Sequence, residues 1–272
     1  MNLLTQKTKL ALVAASKEVI KTYIEQLNIS RRNVALFGDG MGKTVITSNR
    51  GTPKGGYVPS SATVTARGNG FMAQDLTIQN TAGPDGNQSL ALLSNSQHTV
   101  LYRCGLHGFQ DTLCAENNLQ FYLDCEISGT VDFIFGNAKA VFQSCRLLVR
   151  RPKINGAHNV VTAQGRNKAE DDHSGFSFQN CSVMAMPKEN LTGVETYLGR
   201  PWRNYSHVIF MESFLDGIVH PSGWVPWKKN HTRINWAGYS KGTDAKKAEY
   251  TVDRFINGIQ WVPKYITYKH GL

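Results

Sequence analysis

"VLYRCGLHGFQDTLCAENNLQFYLDCEISGTVDFIFGNAKAVFQSC", residues 100–145, carries one pattern three times over. Apolar residues run into a polar one, then a cysteine, then a short alternating stretch that ends at Gly, Asn or Thr. The same pattern recurs outward in "FMAQDLTIQN" (71–80), "FSFQNCSVMA" (176–185) and "VIFMESFLDG" (208–217). The position after the polar residues falls at Asp75, Cys104, Cys125, Cys145, Cys181 and Glu212. Short β-rich runs punctuated by Gly, Asn, Asp and Pro, with little helical periodicity, predict strands. A recurrence of about 20 residues with variable insertions predicts a parallel β-solenoid, each coil adding one rung and loops projecting between strands. A β-sandwich is the alternative.

Rungs of such a solenoid lie about 4.8 Å apart, so equivalent positions stack. Cys104, Cys125 and Cys145 then form one column. A disulfide between adjacent rungs is geometrically open there in an oxidising compartment, while a buried thiol is the commoner state of a strand cysteine. With five cysteines, at least one stays unpaired within the chain.

The same stacking sets Asp111 of "GFQDTL" one coil before Asp132 of "GTVDFIFGNA". An ionised carboxylate amid Val131, Phe133, Ile134 and Phe135 must face solvent, find a partner, or shift its pKa upward. Two carboxylates on successive rungs can divide labour, one as nucleophile or base and the other as proton donor. The Gln110 amide can donate to a developing oxyanion. "YLGRPW" supplies Arg200, able to hold a carboxylate ionised, and Trp202, whose indole face suits a sugar ring. Singly, Arg200 reads as a surface ion pair and Trp202 as a core aromatic. Together they point to a site.

The 272-residue chain is 41% hydrophobic, enough for one sizeable core. It has no run of about 18 apolar residues, the length of a membrane span. A net charge of +10 favours a polyanionic partner. The basic residues are scattered, without a basic helical stripe or a nucleic-acid-binding signature, so neither nucleic acid nor membrane is expected as partner. The opening "MNLLTQKTKLALVAASKEV" makes a poor signal peptide and reads either as a weak export signal or as the ragged start of an incomplete chain.

"NQSLAL", "GFQDTL", "GTVDFIFG", "VTAQGR" and "YLGRPW", in this order and spacing, resemble the plant pectin methylesterases over roughly residues 30–227. The resemblance implies an all-β, right-handed single-stranded parallel β-helix filling residues 1–272 as one domain. Residues 1–27 would be an atypical N-terminal segment and 240–272 a C-terminal cap. It implies removal of methyl esters from homogalacturonan without metal or organic cofactor. Asp132 would be the nucleophile, Asp111 the proton donor and acceptor, and Gln110 the oxyanion stabiliser, with Arg200 orienting Asp132. Gln88, Trp202, Phe135 and Trp227 would bind the sugar chain. A disulfide would join Cys125 to Cys145. The protein would be a secreted monomer of the cell wall, able to meet a separate inhibitor protein.

Departures from the family pattern accompany the match. Lys21 replaces a glycine in "KTYIEQL", and the coil before it has no counterpart, which predicts an open strand edge unless residues 1–27 cover it. The segment before Trp236–Tyr239 is short. Val58 stands for a substrate-binding threonine and Cys114 for a tyrosine of a subsite. A catalytically weak or inactive pectin-binding paralogue or truncated product is therefore the alternative, and another polysaccharide-acting β-helix enzyme, a lyase or glycosidase, the third reading. Six Asn-x-Ser/Thr sequons occur, at Asn28, Asn87, Asn180, Asn190, Asn204 and Asn230; Asn87 adjoins Gln88 and is expected to carry no glycan.

Overall fold

The computed structural model describes residues 20–54, 56–153, 157–227 and 247–272. Three parallel sheets of eight, seven and seven strands run along the molecule, and every third strand returns to the same sheet one rung further on. This is a right-handed parallel β-helix. Strands of two to six residues suffice because each interior one is hydrogen-bonded on both sides by its neighbours along the axis. Lys21–Ile24 and Leu27–Ile29 are the first described strands of their sheets, pairing with Thr44–Ser48 and Val64–Ala66. Trp236–Tyr239 and Asn230 lie outside the described residues.

In-register stacking builds the interior from columns of like residues. Tyr122, Phe142, Phe178 and Phe210 pair rung to rung. Their rings stack face to face at 4.6, 4.5 and 4.5 Å, close to the rung spacing itself. Beside them Cys104, Cys125, Cys145 and Cys181 form a second buried column.

The strand register corrects one sequence assignment. Gln74 pairs with Tyr102 and Gln179 with Met211, so Leu76 and Ser213 continue the cysteine column rather than Asp75 and Glu212. Asp75 and Glu212 belong one position earlier, with Arg103, Asp124, Ser144 and Asn180. All six have φ between 51° and 56°. The two-sheet corner demands a left-handed residue there, which Asp and Asn tolerate better than most. In the linear pattern this turn requirement mimics the core column.

The structure also differs from the expected Cys125–Cys145 disulfide: all five cysteines are free and buried. The Cys125 thiol donates to the carbonyls of Leu101 and Leu123, and that of Cys145 to those of Tyr122 and Gln143. Each sulfur is thus engaged by backbone carbonyls instead of bonding to its neighbour. Burial pushes the Cys145 thiol well above its ordinary pKa.

The C-terminal residues run along the outer face of the third sheet. Val252, Ile256, Val262 and Ile266 cover Val100, Phe121, Leu123 and Val141. The Gln143 amide donates to the Lys269 carbonyl, and the Gln179 amide to that of Gly271.

Truncating the middle of the aromatic stack, Phe142→Ala, should cost about 3–5 kcal/mol through lost burial and cavity formation. Ile24→Ala at an 85% exposed edge position should stay within about 0.5 kcal/mol of the parent. Urea midpoints of both variants check the pair.

Candidate active site

Leu113 pairs with Ile134 across adjacent strands of the second sheet, so Asp111 and Asp132, two residues before each, enter on successive rungs. The backbone N–H of Asp111 donates to the Val131 carbonyl at 3.1 Å. Both aspartates have left-handed backbones, φ 62° and 51°. They sit at the corner between the first and second sheets, which turns their carboxyls out of the strand alternation. Asp132 therefore escapes the core that receives Phe133 and Ile134.

Arg200 comes from the strand Thr196–Pro201, where it pairs with Ala163. Its Nε donates to Asp132 Oδ1 at 2.8 Å and its Nη2 to Oδ2 at 2.5 Å, a bidentate, charge-assisted bond. The indole of Trp227 lies 4.3 Å from the guanidinium carbon. Phe135 and Trp202 meet edge to face at 6.1 Å. Trp202 and Trp227 are 37% and 38% exposed, enough to offer ring surface to a ligand.

These groups open on one cleft of about 610 Å³, lined also by Gln88, Gln110, Val58, Pro59, Leu90, Cys114, Glu116, Asn117, Asn137, Gly165 and Arg203. The structure thus brings together Gln88, Gln110, Asp111, Asp132, Phe135, Arg200, Trp202 and Trp227. Among the described residues no protein group bonds the side-chain amides of Gln88 and Gln110 or the Asp111 carboxyl. Val58 and Cys114, the two departures from the family pattern, both face the cleft.

Sequence reasoning missed Gly165. A Cβ there would stand 2.8 Å from Cε3 of Trp202, so the absent side chain is what lets the indole lie against the strand. The quoted "VTAQGR" contained this glycine, but only a stacked neighbour on the next rung of the same sheet explains it. Glu116, Asn117 and Asn137 were missed as well. Their only sequence signal is the two-residue alternation that puts Glu116 on the same strand face as Cys114.

The two carboxyls are electrostatically unequal. Burial raises the Asp111 carboxyl well above the usual carboxylate range, and the Asp132 charge raises it further; Arg200 opposes only in part. Burial raises Asp132 too, but the hydrogen bonds and charge of Arg200 counter it directly. Both carboxyls are raised, but only Asp132 has a bonded cation favouring its ionised form, while Asp111 is pushed further up by its neighbour's charge.

A carboxyl with a raised folded-state pKa stabilises the fold fully only at pH below its unfolded value of about 4, and that contribution is lost as pH rises through the folded-state pKa. Asp111→Asn removes the liability. Its melting temperature should exceed the parent's by about 2–4 °C on the alkaline side of the Asp111 titration, with the difference vanishing near pH 4. Thermal melts across pH check this, and an unchanged midpoint at high pH contradicts it.

Comparison with known proteins agrees with this geometry. The family model described as Pectinesterase matches residues 3–259. "Probable pectinesterase/pectinesterase inhibitor 35" of Arabidopsis thaliana is 43% identical over 265 residues, covering 89% of this chain and 48% of that protein. "Pectinesterase 2" of Citrus sinensis is 38% identical, covering 89% and 51%. The chain spans about half the length of these curated relatives. The solved structure of the pectin methylesterase from carrot matches with a TM-score of 0.86 at 34% identity, covering 94% of this chain and 90% of that one. On the family match, the relatives and the shared β-helix, the chain belongs to the pectinesterase family.

Proposed function

We propose that this protein removes methyl esters from homogalacturonan, releasing methanol through an acyl-enzyme on Asp132. The observation that carries the reading is the Asp132 carboxylate, held bidentately by Arg200 one rung from a proton-bearing Asp111. An Asp132 oxygen attacks the ester carbonyl carbon, and the carbonyl oxygen becomes an oxyanion within reach of the Gln110 amide. As the intermediate collapses, the bond to methoxide breaks and Asp111 delivers its proton, so methanol leaves neutral. A water molecule then attacks the acyl carbon while Asp111 takes its proton, freeing the acid product and restoring Asp132. Arg200 stabilises the charge that Asp132 carries before and after, and lowers the cost of holding it away from bulk water.

Gln88 supports the substrate beside Gln110, and Trp202, Phe135 and Trp227 form the apolar faces for pyranose rings. The basic chain suits a polyanionic polymer, with binding that weakens as salt rises. Action as a secreted monomer at the cell wall, open to a separate inhibitor protein, completes the reading; relatives that share the fold carry pectinesterase and inhibitor in their names.

Purified protein should release methanol from highly methylated pectin. Asp132→Asn should lower kcat by a thousandfold or more, as expected for loss of a nucleophile. The profile of kcat/KM should be bell-shaped, falling on the acid side as Asp132 takes a proton and on the alkaline side as Asp111 loses one. Folded protein that binds pectin but releases no methanol would replace this reading with the weak paralogue suggested by Val58 and Cys114.

Gly165→Val should push Trp202 off its seat and raise KM several-fold with a smaller change in kcat, the signature of lost uniform binding. Steady-state kinetics on methylated pectin checks this.

A further inference from the structure

We infer that Glu116 is a specificity-determining residue of the cleft, one that disfavours a free galacturonate carboxylate and favours an uncharged, methyl-esterified residue at its subsite. The inference rests on the pectinesterase reading of the site. Glu116 follows the strand Leu113–Ala115, and its carboxylate lines the same cleft as the two aspartates. Its backbone is fixed on both sides, its N–H donating to the Ser94 carbonyl and its own carbonyl accepting from Asn137. The side chain thus projects from a rung held between two others.

Two features mark it out from an ordinary surface acid. Its Oε2 is buried and accepts no hydrogen bond. Arg67 Nη1 stands 3.9 Å from that same oxygen, an ion pair at its long limit between side chains 43% and 35% exposed, so the carboxylate is only weakly compensated.

The remaining charges of the cleft sharpen the effect. Arg200 is committed to Asp132, and Asp111 is held protonated. Arg203, which also lines the cleft, lies over the Trp202 ring at 5.4 Å. The wall at Glu116 therefore presents negative charge in a protein whose overall charge is +10. A polymer that the whole molecule attracts is sorted locally: its esterified units are accepted at this wall and its acid units repelled. Activity would fall along a stretch of polymer as neighbouring residues lose their esters.

The test uses unesterified hexagalacturonide, which has no ester to cleave, as a binding probe. Calorimetry would compare the parent with Glu116→Gln and Glu116→Ala at low and high salt. Removing the charge should tighten binding about fivefold at low salt, the scale of a single partly exposed charge interaction, and the gain should shrink as salt rises. In parallel, the ratio of kcat/KM for fully methylated over half-methylated oligomers should drop by a similar factor in both variants. Equal affinity of parent and variants for the acid probe, or no binding by any of them, overturns the inference. Methanol release by the parent separately decides the esterase reading. Release with an unaltered charge preference sinks the role of Glu116 alone, whereas tighter acid binding by both variants without release sinks the esterase reading alone.

Discussion

Lateral backbone hydrogen bonding between successive coils holds the rungs in register, and nearly everything else in this molecule follows from that constraint. Each interior position meets its equivalents about 4.8 Å above and below. A residue that packs well once therefore packs well repeatedly, which is why Tyr122, Phe142, Phe178 and Phe210 stack as a continuous pile. The same constraint penalises any residue unsuited to its column. It explains why every described corner residue from Asp75 to Glu212 shares one left-handed conformation.

The reactive centre uses this repetition at its expense. Two carboxyls on adjacent rungs are forced close, and burial makes the proximity costly. Arg200 relieves only one of them, so the protonation states separate. The electrostatic cost at Asp111 is what the proposed division of labour between an acid and a nucleophile would require. A third carboxylate, Glu116, lines the same cleft.

Much of the site was legible in the linear chain because solenoid geometry converts sequence interval into spatial adjacency. One coil separates Asp111 from Asp132, and that interval alone places them together. Arg200 was harder: it arrives from two rungs further along, after coils of unequal length, so its interval from Asp132 does not reveal the contact. Gly165 was invisible as a functional residue, since its role is to leave room for Trp202. The misplacement of Asp75 and Glu212 arose because an aspartate at a turn and a cysteine in a core look alike in a pattern of polar and small residues. Backbone register separates them.

The sequence by itself determined the class of fold and the pair of carboxyls, because β-periodicity and a near-constant interval are properties of the chain's order. Only the tertiary structure decided which carboxyl is partnered by a guanidinium, since that depends on an arginine from a distant coil. It also decided that Cys125 and Cys145 sit as thiols facing backbone carbonyls and that Glu116 reaches the cleft. These outcomes turn on side-chain direction and local dielectric, which arise only when the coils are stacked.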